Sequence, residues 1–485
     1  MSLPDERRDS ETVHVDHGNE ADISPPRGHA FPIVGVGASA GGLDAFTQLL
    51  QALPNETGMA FVLVQHLDPH HDSQLTEILS AATGMPVRTV LDGMPVQSDE
   101  VFVIPPNVTM ILEDGVLRLD DRKPGLHLPV DAFFESLAHV QGGRAIAIVL
   151  SGNASDGSQG VKAVKAECGI TFAQDEASAQ HIGMPRSAIA TGAVDYVMPP
   201  VEIARELVHL SRHPFVVAAL RHDASEEILP DGNGELRNIF RALRQSTKVD
   251  FSHYKRNTIR RRIGRRMIVT RVRTMAEYAQ LLQDRPDEVR ELYRDLLISV
   301  TNFFRDPGVF DALRRLLGDL IDSRDAGEAF RVWVPGCASG EEVYSLAICL
   351  KELLEEKGLT TPIQIFGTDI SETALDRARS GMYPHLIEQD VSAERLRRFF
   401  IHVDRGYQVS KAIRESCVFA RQDLLEDPPF GHTDLISCRN LLIYLDAALQ
   451  RKVLPVFHYS LNPTGLLLLG SAESIASASD LFSVI

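Results

Sequence analysis

Ser39, His66 and Asp156 have the side-chain types of an acyl-transfer site, and each follows an apolar run of the kind that forms a buried strand. Ser39 lies within IVGVGASAGGLDAF, a strand pattern running into a glycine-dense turn and a helix start. Such a turn brings the backbone close to a ligand and presents free amides at a helix N-terminus. A serine placed on it projects its hydroxyl at the sheet edge. That hydroxyl is a poor nucleophile until a base takes its proton. His66 directly follows FVLVQ and can be the base, and Asp156, in AIAIVLSGNASDG, can orient the imidazole. The same turn fits the dinucleotide fingerprint as Gly35-x-Gly37-x-x-Ala40, which would make Ser39 a phosphate contact. Against that, the second strand ends in Gln65-His66, without the acid that holds a ribose hydroxyl. On residue types and spacing alone both readings stand. Asp68, His70 and His71 read as a solvated helix start, and no metal is assigned.

A second constellation follows in the C-terminal half. RVWVPGCASGEEVYSLAI repeats the scheme of strand, glycine turn and helix, with Glu341 and Glu342 directly after the glycines. Acids at a helix start repel a phosphate and suit a cation. S-adenosylmethionine is such a ligand, since it carries a sulfonium and an ammonium. IQIFGTDIS ends a strand in Asp369, placed to accept hydrogen bonds from ribose hydroxyls, and TDLISCRNLLIYL brings Arg439 and Asn440 to the same edge. Methylating a carboxylate needs no base, because the acceptor is already ionised at neutral pH. Alignment of its oxygen with the methyl group is the requirement.

The elements that must position these residues follow from periodicity. Apolar runs alternating with helical patterns predict an α/β fold: two doubly wound, mainly parallel sheets in series, with a small all-helical subdomain before the second. Strands are expected near Ile33–Val36, Phe61–Val64, Val101–Ile104, Ala145–Leu150, Thr171–Ala173 and Tyr196–Met198, with a hairpin turning at Glu113-Asp114-Gly115. In the second sheet they fall near Arg331–Val334, Ile363–Gly367, Val418–Arg421, Asp434–Ser437 and Gly465–Gly470. The expected organisation is a polar, disordered leader over 1–30, a first domain over 31–212, a linker over 213–234, a helical subdomain over 235–325 and a cofactor domain over 326–485.

Composition narrows the class. A 44% apolar share supplies a core to each half, and no apolar run approaches the roughly 20 residues that span a bilayer, so no membrane insertion is expected. The 5 cysteines form no C-x-x-C pair, which fits a reducing cytoplasm. A net charge of −17 disfavours nucleic acid. One segment runs against that average: HYKRNTIRRRIGRRMIVTRVR holds Lys255, Arg256, Arg260, Arg261, Arg262, Arg265, Arg266, Arg271 and Arg273 without an acid. Ile259, Ile263 and Met267 recur every four residues, so one face should pack while the arginines face out.

GASAGG, VLVQHLDPHHDSQLTEIL and LSGNASDGSQG together resemble the catalytic domain of the chemotaxis protein-glutamate methylesterases (CheB type), over about residues 31–200. The resemblance implies nucleophile, base and acid roles for Ser39, His66 and Asp156. Ala40 stands where the family usually has threonine, and Asn153 where it often has methionine. SVTNFFRDP, GCASGEEVYS, GTDIS, ARQDLL and CRNLLIYL, in that order, resemble the chemotaxis glutamate O-methyltransferases (CheR type), over about residues 235–485. That implies S-adenosylmethionine contacts from Ser299, Thr301, Arg305, Glu342, Asp369, Asp423, Leu424, Arg439 and Asn440, with S-adenosylhomocysteine as product. Arg305 and Tyr444 are the candidates for orienting the acceptor carboxylate. The implied partner is a chemoreceptor-like protein with glutamate-rich helices, met by the basic segment. Two alternatives compete: a signalling scaffold with a degenerate esterase half, motivated by Ala40 and Asn153, and methyl transfer to RNA, motivated by the arginines.

Overall fold

The structure, a computed structural model, describes residues 31–65, 75–122, 127–214, 234–297, 301–322, 328–404 and 406–485. The first domain runs β1 (Ile33–Ala38), α1 (Gly42–Ala52), β2 (Ala60–Gln65), α2 (Leu75–Ser80), β3 (Val87–Thr89), β4 (Met94–Pro95), β5 (Val101–Val103), β6 (Val108–Glu113), β7 (Val116–Asp121), α3 (Pro129–Gln141), β8 (Ala145–Val149), α4 (Ser158–Ala166), β9 (Ile170–Gln174), α5 (Gly183–Ala190), β10 (Tyr196–Met198) and α6 (Pro200–Ser211). Its main sheet has the order β10-β9-β8-β1-β2-β5-β3, with every pairing parallel. Parallel strands covered by helices are buried on both faces, which is why β1, β2 and β8 read as near-continuous apolar runs. Strand order reverses at β1, which lies between β2 and β8, so the crevice beyond its carboxyl end is a switch point. Helix α3 presses onto β1: a Cβ at Gly37 would lie 2.2 Å from a Val130 methyl, so no larger residue fits there. Strands β6 and β7 form the expected hairpin, turning through Asp114 and Gly115 at φ 46° and 85°.

Helices α7 (Glu235–Thr247), α8 (Arg256–Val269), α9 (Met275–Asp284) and α10 (Pro286–Leu296) share one core around Leu243, Ile263, Tyr278 and Leu292. Helix α9 starts in a reciprocal capping box between Thr274 and Glu277. Helix α11 (Pro307–Asp322) packs instead on the second domain, through Phe310, Leu313 and Leu317. That domain continues β11 (Phe330–Pro335), α12 (Glu341–Lys357), β12 (Ile363–Asp369), α13 (Glu372–Ser380), β13 (Met382–Tyr383), α14 (Ala393–Phe399), β14 (Phe400–Val403), β15 (Gly406–Val409), α15 (Lys411–Arg414), β16 (Cys417–Arg421), β17 (Thr433–Cys438), α16 (Ala447–Ser460) and β18 (Leu461–Leu469). Its parallel sheet has the order β16-β12-β11-β17-β18, and the short strands β13, β15 and β14 form a separate antiparallel sheet. Strand order again reverses at β11, between β12 and β17.

The arginine-rich helix corrects the sequence reading. Ile259, Ile263 and Met267 pack as expected, but Arg262, Arg265 and Arg266 are buried, not turned to solvent. Arg262 Nη1 donates to the Lys165 carbonyl at 2.9 Å and its Nη2 to that of Ala166, while Arg261 Nη2 donates to the Glu167 carbonyl at 2.9 Å. Arg265, with a wholly buried side chain, donates from Nε to the Gly169 carbonyl at 3.0 Å and pairs with Asp195 of the first domain and Asp295 of α10. Arg266 binds Glu288 through two nitrogens, at 2.9 and 2.7 Å, and Arg271 reaches Glu206 at 2.6 Å. The physical reason is that α4 ends against α8. The last carbonyls of a helix lack intrahelical donors and carry the negative end of its dipole, so guanidinium groups satisfy them. Ile268 extends the contact into the apolar core of the first domain.

Candidate active sites

Ser39 directly follows β1, and its N–H donates to the Ser151 carbonyl at 3.0 Å, tying the turn to the end of β8. Gly41, at φ 74°, must be glycine on two counts: its conformation is left-handed, and a Cβ would meet Ser151 Oγ at 2.7 Å. Ser151 Oγ in turn donates to the Ala40 carbonyl at 2.9 Å and accepts the His181 N–H at 2.9 Å. A Cβ on Gly152 would stand 3.0 Å from Ser39 Cβ and closer still to the Met184 sulfur, so the Gly152 backbone closely approaches the serine.

Asp156 is fully buried. Its carboxylate accepts the N–H groups of Val130 at 3.0 Å, Asp131 at 2.9 Å and Gly157 at 2.9 Å. Two of these belong to the first turn of α3, where the helix dipole favours an anion. Sequence reasoning missed Asp131, a second buried carboxyl beside it that accepts the Gly160 N–H at 2.7 Å. Burial, and then the charge of Asp156, pushes its pKa well above the usual carboxylate range. The signal was present as an acid in the first turn of a helix, but nothing local marks it as buried. His66 and Ser299 lie outside the described residues.

In the second domain the turn after β11 passes through Gly336, Ala338 and Gly340, all at positive φ. Asp369, at the end of β12, accepts the Ala338 N–H at 2.9 Å and the Ser371 N–H at 2.8 Å, so it holds two strand-end loops together. Glu342, in the first turn of α12, accepts from Ser437 Oγ at 2.6 Å and lies 3.5 Å from Arg439 Nη1. Arg439, with its side chain 1% exposed, also donates to the Arg305 carbonyl at 3.1 Å and pairs with Asp306 at 2.5 Å. Phe304, Asp306 and Asn440 adopt left-handed backbone around this cluster, an energetic cost that concentrates at functional sites.

The structure therefore brings Glu342, Arg305 and Arg439 together, with Tyr444 also within the field of Arg305. Asp369 and Asp423 form a second group around Tyr254, whose phenol feels both charges. Asp423 Oδ1 accepts the Leu425 N–H at 2.9 Å, and Leu424 packs at the edge of the Trp333 core. Thr301 is half-buried beside Asn302, whose amide donates to Asp390 at 3.3 Å. The donor set fits an adenosyl-amino-acid cofactor: half-buried carboxylates at a helix start (Glu342) and a strand end (Asp369), a glycine turn, and buried polar atoms, Arg439 Nε and Gln422 Oε1, that have no hydrogen-bond partner among the described residues.

Glu473 is a further residue that sequence reasoning missed. Its two oxygens accept the N–H groups of Gly470, Asn440, Leu441 and Leu442 at 2.7 to 2.9 Å, pinning the loop of Arg439 and Asn440 to the end of β18. Glu473→Gln turns a donor amide toward these donors. The expected outcome is about tenfold weaker S-adenosylhomocysteine binding by calorimetry, with partial recovery in Glu473→Asp.

Burial, the first cause in each case, also raises the pKa of Asp369 and of Glu342. Binding that needs them ionised is full at high pH and is lost as pH falls through the raised values. Calorimetry between pH 8 and 5 should show S-adenosylhomocysteine affinity declining at higher pH than an ordinary carboxylate would impose. Stability linkage has the opposite sign: a carboxyl raised in the folded state contributes most below its unfolded pKa, and that contribution fades as pH rises through the folded one.

Two α/β domains thus each carry a polar cluster at a strand-order switch point, and family profiles assign each domain. The CheB methylesterase family profile matches residues 34–207. The CheR methyltransferase all-alpha domain matches 234–297, and its SAM binding domain matches 299–485. The chain belongs to the CheR methyltransferase family and carries a CheB methylesterase domain ahead of it. It is 39% identical over 431 residues to the uncharacterized 104.1 kDa protein in hypE 3'region of Rhodobacter capsulatus, covering 85% of this chain and 45% of that protein. It is 31% identical to chemotaxis protein methyltransferase 1 of Pseudomonas aeruginosa, covering 52% of this chain and 93% of the relative. Protein-glutamate methylesterase/protein-glutamine glutaminase 1 of Pseudomonas fluorescens is 36% identical, with 37% of this chain and 54% of the relative covered. The chain thus spans less than half of the Rhodobacter protein and about half of the methylesterase.

Proposed function

We propose that this chain sets the methylation of glutamate side chains in both directions on a chemoreceptor-like signalling protein. The observation that carries the reading is the fusion itself: one polypeptide holds a methylesterase edge and a methyltransferase edge, each at a strand-order switch point. Ser39 attacks the carbonyl carbon of a glutamyl methyl ester, His66 takes the hydroxyl proton and Asp156 orients the imidazole. Within the turn, the Ser39 and Gly42 N–H groups are held by the Ser151 and Ser39 carbonyls, so the Ala40 and Gly41 amides are the ones that face the developing oxyanion. Methanol leaves with the proton from His66, and water then cleaves the acyl-enzyme to free the carboxylate. The same attack on a side-chain amide deamidates glutamine.

In the second domain Ser299, Thr301, Arg305, Glu342, Asp369, Asp423, Leu424, Arg439 and Asn440 hold the cofactor, with Glu342 toward its ammonium and Asp369 toward its ribose. S-adenosylmethionine supplies the electrophilic methyl group when bound. Arg305 and Tyr444 orient the acceptor carboxylate, and burial pushes the Tyr444 phenol up, keeping it a proton donor at neutral pH. Domain limits of 31–212 and 235–485, a cytoplasmic location and glutamate-rich helices as the partner belong to the same reading. The match to the CheR methyltransferase family, with a chemotaxis protein methyltransferase among the relatives, supports a protein acceptor over RNA.

The test uses methyl-labelled S-adenosylmethionine and membranes bearing chemoreceptors. Base-labile label in the receptor band, released later as volatile methanol, is the expected result. Label that is stable to base, or confined to nucleic acid, overturns the reading.

A further inference from the structure

We propose that the C-terminal turn of α4 covers the arginine face of α8, so that the glutamate-bearing helix the proposed function brings to the methyltransferase cleft must displace that turn. The proposal rests on the methyltransferase reading above and adds how access to that site is governed.

Helix α8 connects two places. At its start the Lys255 N–H donates to the Tyr444 carbonyl at 2.9 Å, beside the residue assigned to the acceptor, and Tyr254 bridges to Leu445. At its other end Ile268 sits in the core of the esterase domain. Between them Arg261, Arg262 and Arg265 bind the carbonyls of Lys165, Ala166, Glu167 and Gly169. The Glu167 carboxylate lies 3.3 Å from Arg261 Nη2. Tyr444 feels the charge of Glu167 of the esterase domain as well as those of Arg262 and Arg305. A glutamate of the esterase domain is therefore held on the same helix, α8, whose start contacts Tyr444.

The other flank of α4 supports the same picture, since the Lys162 ammonium feels Glu341 and Asp390 of the methyltransferase domain. Helix α4 also begins two residues after Asp156, so a single nine-residue element joins the esterase site to the methyltransferase acceptor side. The competing ligand follows from the chemistry of the donors. Neutral carbonyls are adequate acceptors for guanidinium groups, but carboxylates are stronger ones through charge assistance and bidentate geometry. A helix with glutamates on one face offers several at once. Parting the domains leaves Asp295 and Glu288 with Arg265 and Arg266, and frees Arg261 and Arg262 for that helix. Such a device keeps the opposed reactions from cycling on one substrate glutamate.

The probe is a fluorescent helical peptide with glutamates three and four residues apart, titrated by anisotropy into the full chain. Two opened variants accompany the wild type: Glu167→Arg, which sets like charges at Arg261, and Asp195→Ala with Glu206→Ala, which removes the esterase-side partners of Arg265 and Arg271. Both opened variants are expected to bind the peptide about tenfold or more tightly than wild type, with affinity falling as salt rises and on adding Arg262→Ala. Equal affinity in wild type and opened variants overturns the proposal, because the face is then not covered. No binding to any of them also overturns it, because the face then takes no carboxylate helix. S-adenosylhomocysteine calorimetry on the same samples separates the two levels. Retained binding shows that the variants are folded, whereas failure of the wild type to bind defeats the methyltransferase reading and not the docking geometry.

Discussion

Alanine in place of Ser39 is expected to lower methanol release from methylated receptor by about 10⁴-fold or more, since removing the nucleophile of a serine hydrolase leaves only the contribution of the oxyanion site and of binding. The loss should be purely chemical. Ser39 holds its turn through backbone groups, its N–H to the Ser151 carbonyl and its carbonyl to the Gly42 N–H at 2.9 Å, and alanine keeps both. Melting temperature and S-adenosylhomocysteine affinity should therefore match wild type. A variant that still releases methanol near the wild-type rate removes Ser39 from the mechanism. The departures at Ala40 and Asn153 bear on the same assay: Asn153 follows Gly152, whose backbone closely approaches Ser39, so Asn153→Met is the informative exchange if the wild-type rate is low.

Asp369→Ala should weaken S-adenosylhomocysteine binding about 100-fold or more. Its carboxylate holds the Ala338 and Ser371 amides and is the acid placed for ribose, and hydrogen bonds to a charged group contribute about 1.5–3 kcal/mol each. The loops after β11 and β12 lose their common anchor in the same step. Asp369→Asn keeps one acceptor oxygen and should fall between alanine and wild type. Methanol release is the internal control, because Ser39 and Asp156 lie on a separate sheet. Unchanged affinity in Asp369→Ala would detach this residue from the cofactor and leave the pocket to be sought elsewhere on the edge.

The sequence by itself determined the two sheets and the order of chemistry along them. Strands such as Ile33–Ala38 and Thr433–Cys438 are buried throughout, so burial writes itself into local composition. The polar residues that end such runs can stand only at the sheet edge, which made Ser39, Glu342, Asp369 and Arg439 visible as candidates. The short strands β3 and β13, of three and two residues, carry too little pattern to be read. Tertiary structure alone decided which polar groups meet. Asp131 and Glu473 are ordinary acids in sequence and acquire their roles from amides that other segments bring to them. The arginines of α8 show the limit most clearly. A helical period predicts which side chains share a face, but whether that face meets water or the carbonyl end of another helix depends on Lys165–Gly169, nearly a hundred residues away in the chain. Local sequence cannot encode that choice, because the hydrogen-bond acceptors that bury a guanidinium belong to a different domain.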